Sequence, residues 1–221
     1  MLPDRVSFGT LDGSFTVSSI QPDTAGPPPG GARKTGDLPD RLIASGLEIL
    51  AEEGLGKLTL RRVAARAGVS HAAPAHHFKG LPQLLGCICR VGYDNLTEAM
   101  VTRRDRAGLA PRARLIAICE GYLAFARDNP GLVQLMFNAL PEAVSRPEMQ
   151  EAADRAYGVL QETCAAFEPV GDAADSTETM VWSLVHGFAF LGLGYGFEQA
   201  RRVTRAPDFE DILPALTVRL A

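Results

Sequence analysis

The chain has 221 residues, 46 % of them apolar and 7 % aromatic, with Ala and Leu abundant. That length exceeds one small helical module and accommodates a second domain with a sizeable core, built from helices rather than sheets. The net charge of −4 excludes a basic protein that coats polyanions indiscriminately.

Residues 1–35 are rich in Pro, Gly, Ser and Asp, include the run Gly26-Pro27-Pro28-Pro29-Gly30-Gly31, and show no helical period. They are expected to form a disordered arm. Leu11 to Ile20 has some strand character without a partner strand. Arg33 and Lys34, at the end of the arm, suit a phosphate backbone, a minor groove or a solvated linker.

From Asp37 the pattern is helical. Asp37 caps a first helix, Pro39 and Asp40 suit its first turn, and Leu38, Leu42, Ile43, Leu47 and Leu50 form one stripe that Gly54 ends. Thr59 caps a second helix with Leu60, Val63, Ala64 and Ala67 facing inward. Gly68 breaks it, and Ser70 caps a short third helix to about His77. A fourth runs from near Pro82 to about Asp105. Further helices are expected at about 111–128, 130–137, 147–168, 174–196 and 208–220, with breaks at Asn129-Pro130, Asn138 to Pro147 and Pro169 to Gly171. No period-two alternation and no repeat is present. The expected fold is all-α, about nine helices.

Charge divides along the chain. Arg33 to Arg90 holds nine Lys/Arg against five Asp/Glu; Val91 to Ala221 holds twelve against eighteen. A basic module on an acidic body suits a nucleic-acid reader with a separate control domain. Cys87, Cys89, Cys119 and Cys164 follow no zinc or redox spacing and read as buried free thiols in a reducing compartment. The most apolar run, Met180 to Phe197, contains Ser183, His186 and four glycines, so it reads as a buried helix rather than a membrane span. Without a signal peptide or span, the expected location is the cytoplasm.

The strongest motif is Leu58 to Phe78. Ala64 is small where two helices must cross, Gly68 can turn left-handed, Val69 plugs the gap and Ser70 caps the next helix. This is the logic of a helix-turn-helix whose third helix enters a major groove. Pro74 removes one backbone N–H from that helix and keeps it short. His71, Ala72, Ala73 and His76 are its groove-facing candidates, Lys79 is a candidate to neutralise a phosphate, and the capping residues Thr59 and Ser70 complete the expected DNA-binding set. His77 belongs to the same candidate set or packs inward beside Phe78. The offsets among His71, His76 and His77 do not suit a metal on one helical face.

These residues resemble the TetR family of bacterial regulators over Gly36 to about Leu85. The matching features are Gly36-Asp37-Leu38 before the first helix, Val63-Ala64-x-x-Ala67-Gly68-Val69-Ser70 at the turn, and His77-Phe78-Lys79 after the third helix. Ser70-His-Ala-Ala-Pro74, with Trp182, His186 and Gly187 far downstream, resembles a branch with a Trp-x-x-x-His-Gly motif. The chain departs from the family pattern at Ala75 (usually a phosphate-contacting Tyr), Leu81 (usually Lys), Pro82 (usually acidic) and Arg62 (usually an acidic capping partner of Thr59).

The resemblance implies a DNA-binding domain at 36–85 and an effector-binding, dimerising domain at 86–221. Met100, Tyr122, Phe125, Met136, Phe137, Trp182 and His186 are candidates for an effector pocket or for plain core. Gly187, Gly192, Gly194 and Gly196 on one helix, with Leu213 and Leu216 on the final helix (Phe209, Ile212, Leu213, Leu216, Leu220), are candidates for a four-helix dimer seam. The expected function is a ligand-responsive repressor that binds a palindromic operator as a homodimer. The competing expectation is a helical dimer that binds a ligand or partner and has weakened or lost DNA binding. No phosphate loop, nucleophile elbow or metal pair is found, so neither catalysis nor a cofactor is expected.

Overall fold

The computed structural model describes residues 37–138, 147–194 and 207–219. They form helices α1 (Leu38–Glu53), α2 (Leu60–Arg66), α3 (Leu81–Arg106), α4 (Pro111–Asp128), α5 (Pro130–Asn138), α6 (Pro147–Cys164), α7 (Ser176–Gly194) and α8 (Phe209–Ile212). The fold is all-α, as the periodicity predicts. Local chemistry sets most of these boundaries. Asp37 Oδ1 accepts the Leu38 N–H at 2.8 Å, and Gly54, at φ 80°, ends α1 by donating to the Ile49 and Leu50 carbonyls. Proline occupies the first turn of α1, α3 and α4, where its missing N–H costs no helical hydrogen bond.

The long helix α3 is the spine. It packs on α1, α4, α5 and α6, so one continuous core runs from Leu42 and Val63 through Leu84, Ile88 and Leu96 to Val181 and Leu213. The α3–α4 crossing is close at Gly121. A Cβ there would lie 2.7 Å from the Ala99 carbonyl oxygen and 2.8 Å from Met100 Cα. Cys89, Cys119 and Cys164 are buried free thiols and Cys87 is half-buried. Among the described residues no helix is long and apolar enough to cross a membrane.

Two predicted helices are corrected. The third is not an α-helix: Ser70 to His77 forms a turn and a short 3-10 segment, Ala73–His76. Pro74 lacks the N–H that an α-helix starting at Ser70 would use to bond back to it, so the chain tightens to i→i+3 bonds from Ala73 to Ser70 and from His77 to Pro74. The final helix spans only Phe209–Ile212, not 208–220. Pro214 disfavours helical backbone at Leu213, which is extended at φ −75°, ψ 115°.

Beyond Pro214 the chain runs antiparallel to the segment after α6. Glu168 N–H donates to the Thr217 carbonyl, Arg219 N–H donates to the Ala166 carbonyl, and Phe167 pairs with Val218. Arg112 secures the bend by donating to the Leu213 and Pro214 carbonyls. The expected arm at 1–35 with Leu11 to Ile20, Arg33 and Lys34, the break at 139–146, Gly196 and Leu220 lie outside the described residues.

Candidate nucleic-acid interface and aromatic core

The helix-turn-helix is built on α2. Thr59 Oγ1 accepts the Arg62 N–H at 3.3 Å, and Val63 and Ala64 are fully buried. Gly68 takes φ 70° at the turn, a conformation a side chain would strain. Val69 N–H donates to the Ala64 carbonyl, and Arg41 of α1 donates to the Ala67 carbonyl at 2.7 Å, meeting an acceptor the helix end leaves open.

The segment that follows is anchored at two points and bare elsewhere. Pro74 and Phe78 are buried, while Ser70, His71, Ala72, His76, His77 and Lys79 are exposed and Ala73 is half-buried. His77 therefore does not pack inward beside Phe78. Ser70 does not cap with its side chain; its carbonyl accepts the Ala73 N–H, and Ala72 holds the cap position of the 3-10 turn. Lys79 is held by its backbone N–H, which donates to Gln83 Oε1 at 2.7 Å, leaving the ammonium group in solvent. Ala75 exposes only a methyl group, and Leu81 packs against the core.

The basic residues of α2 are not equivalent. Arg66 bonds to Glu52 at 2.6 Å and Glu53 at 3.0 Å, with Glu48 at 3.8 Å, and Arg62 pairs with Glu53. The hydrogen bond to Glu52 holds the Arg66 guanidinium above its ordinary pKa. Sequence reasoning missed this clamp; the spacing 48/52 on α1 and 62/66 on α2, which places each pair on one helix face, is the signal it left.

Of the predicted pocket residues, the structure gathers Tyr122, Phe137, Trp182 and His186 into one cluster. Tyr122 Oη lies 2.7 Å from His186 Nδ1. Phe137 meets the His186 ring edge-on at 4.5 Å, and Trp182 lies parallel to it at 5.9 Å. Sequence reasoning missed Tyr93, Tyr157 and Phe190, which complete the cluster. Phe190 was findable, since Trp182, His186 and Phe190 recur every four residues on α7; the two tyrosines come from distant helices.

Met100 borders a void shared with Tyr122 and Trp182 of about 10 Å³. Holding a water takes about 10–15 Å³, so the space between Met100, Tyr122 and Trp182 has room for one water at most. Met136 lies against Gly92 of α3, and Phe125 is buried on α4 outside the ring cluster. Burial lowers the His186 pKa and raises that of Tyr122, which keeps both neutral.

Of the predicted dimer residues, Gly187 is half-buried on α7, and a Cβ there would meet nothing within 4 Å. Gly192 and Gly194 fall in the last turn of α7. Leu213 is 3 % exposed and Leu216 packs against the core, so both serve this subunit's own interior. The long final helix expected for a four-helix seam is absent, since α8 ends at Ile212.

This geometry, a helix-turn-helix buried at its base and bare at its tip and continuous with a helical bundle, defines a helix-turn-helix protein. Two family models match the chain: bacterial regulatory proteins of the tetR family at residues 42–86, and the tetracyclin repressor-like C-terminal domain at residues 115–214. The chain belongs to the tetR family of bacterial regulatory proteins. It is similar to the HTH-type transcriptional regulator BetI 1 of Chromohalobacter salexigens, at 30 % identity over 50 % of this chain and 54 % of that protein. It is also similar to BetI of Serratia proteamaculans, at 26 % identity over 76 % of this chain and 88 % of that one. The match to BetI 1 thus spans about half of that relative's length. A solved structure of a protein of unknown function from Rhodococcus sp. RHA1 superposes with a TM-score of 0.65 at 28 % identity, covering 81 % of this chain and 91 % of that one. A TetR family transcription regulator from Marinobacter aquaeolei shares the fold, with a TM-score of 0.56 at 19 % identity, covering 73 % and 86 %.

Proposed function

We propose that the chain is a cytoplasmic transcriptional repressor that binds a palindromic operator as a homodimer and responds to a small-molecule effector. The observation that carries this is the tip from Ser70 to Lys79, whose Pro74 and Phe78 anchors are buried while His71, Ala72 and His76 are presented to solvent. Exposed imidazoles can hydrogen-bond base edges, and alanine methyls can meet thymine methyls. Dimerisation is assigned to the face of α7 bearing Leu184, Gly187 and Leu191, of which Leu191 is 55 % exposed. Two tips about 34 Å apart would then read two half-sites.

The effector is assigned to the ring cluster around Trp182 and His186. Since the space between Met100, Tyr122 and Trp182 holds one water at most, an effector there displaces rings, and this strains α3, which belongs to both the DNA-reading layer and the core. Ala75 and Leu81 favour a second reading, a family member whose DNA grip is lost. Capture of genomic fragments by the purified protein, followed by sequencing, separates the two. Recovery of a shared palindrome supports the repressor; fragments without sequence preference at moderate salt overturn it.

A further inference from the structure

Six Lys and Arg residues lie between Asp37 and Leu85: Arg41, Lys57, Arg61, Arg62, Arg66 and Lys79. Three are already committed within the protein. Arg41 is bonded to the Ala67 carbonyl, and Arg62 and Arg66 are clamped by α1 carboxylates. That clamp holds two guanidinium groups against Glu48, Glu52 and Glu53, so it presents no net positive charge to a polyanion. Lys57, Arg61 and Lys79 are exposed and make no ion pair among the described residues. Lys57 ends the turn that leads into the Thr59 cap. Arg61 lies about 100° around α2 from Arg62, on the flank the carboxylates do not reach. Lys79 closes the bare tip.

The geometry points to Lys57, Arg61 and Lys79 as the residues that neutralise DNA phosphates, with Arg62 and Arg66 taking no part although they share Arg61's helix. The inference rests on the DNA-binding reading. It adds Lys57 and Arg61 to the expected contacts and explains how a member lacking the usual Tyr and Lys at Ala75 and Leu81 holds the backbone. It also qualifies the charge count: three of the six basic residues in this segment are already bonded within the protein.

The test is equilibrium binding of the full chain to a short fluorescein-labelled duplex of mixed sequence over a series of KCl concentrations. Each phosphate contact contributes a slope of about −0.9 in log K against log salt, so removing one residue from both subunits lowers its magnitude by about 2. Lys57→Ala, Arg61→Ala and Lys79→Ala are each expected to show that loss, and Arg62→Gln to keep the parent slope. Unchanged slopes for Lys57→Ala and Arg61→Ala, or a loss in Arg62→Gln equal to that in Arg61→Ala, overturn the inference. If Arg62→Gln does not fold, the exposed Lys57 and Arg61 variants decide alone. A parent protein that binds no duplex even at low salt refutes the DNA-binding reading itself, so the two failures are distinguishable.

Discussion

The 2.7 Å contact between Tyr122 Oη and His186 Nδ1 is a polar link inside a wall of rings. Each partner satisfies the other where water is scarce, and removing one leaves a half-buried group without its bond. Tyr122→Phe is expected to cost about 1 kcal/mol, seen as a fall in Tm of about 2–4 °C by calorimetry. His186 also makes stability depend on pH. Burial lowers its pKa from the ordinary 6.5, so the folded chain resists a proton that the unfolded chain accepts. This histidine imposes no penalty above 6.5; stability then falls as the pH drops through 6.5 toward the folded value. His186→Gln should flatten that stretch of the profile in urea melts between about pH 7.5 and about pH 5.5. An equally steep profile in the variant would assign the dependence to other groups.

At the level of elements, helices whose ends carry their own signals were legible in the sequence. Asp37 and Gly54 bracket α1, and the Asn129-Pro130 step divides α4 from α5 just where expected. Two elements were misjudged because a proline outweighed the signal read there, the Ser70 cap in the third helix and an apolar stripe in the last. Phe209, Ile212, Leu213 and Leu216 read as one helical face, yet Pro214 turns the backbone, and partners some fifty and a hundred residues away (Phe167 and Arg112) hold it extended. Such distant pairings leave no periodic trace. Likewise the aromatic cluster was half visible, because α7 contributes rings at regular spacing while Tyr93 and Tyr157 arrive through tertiary packing alone. The α3–α4 crossing offers an element-scale test. At Gly121 a methyl group would strike backbone rather than a flexible side chain, so the helices themselves must move apart. Gly121→Ala is expected to destabilise by about 1–3 kcal/mol. A Tm at or above the parent's would show that the crossing has room.

For the whole molecule, α7 presents an inner face to the core and an outer one bearing Leu184, Gly187 and the exposed Leu191. Exposed leucine next to a position open to close approach is the surface expected to cover itself with a second subunit. Leu191→Glu should convert a dimer to a monomer in sedimentation equilibrium and weaken duplex binding in parallel. A dimer of unchanged affinity would move the interface to another face. Because the core is continuous from Leu42 to Leu213, a ligand bound as proposed at His186 would work against the same packing that holds α1 and α2 in place.

The proline in the recognition segment bears on how much information the protein can extract from a genome. A full α-helix lying in a groove offers several turns of side chains; a single 3-10 turn from Ala73 to His76 offers one narrow tip. Few base pairs per half-site are then discriminated, each worth about 1–3 kcal/mol. Near-cognate sequences would then be common by chance, and in the proposed dimer the spacing of the two tips would have to supply the address that each tip alone cannot spell.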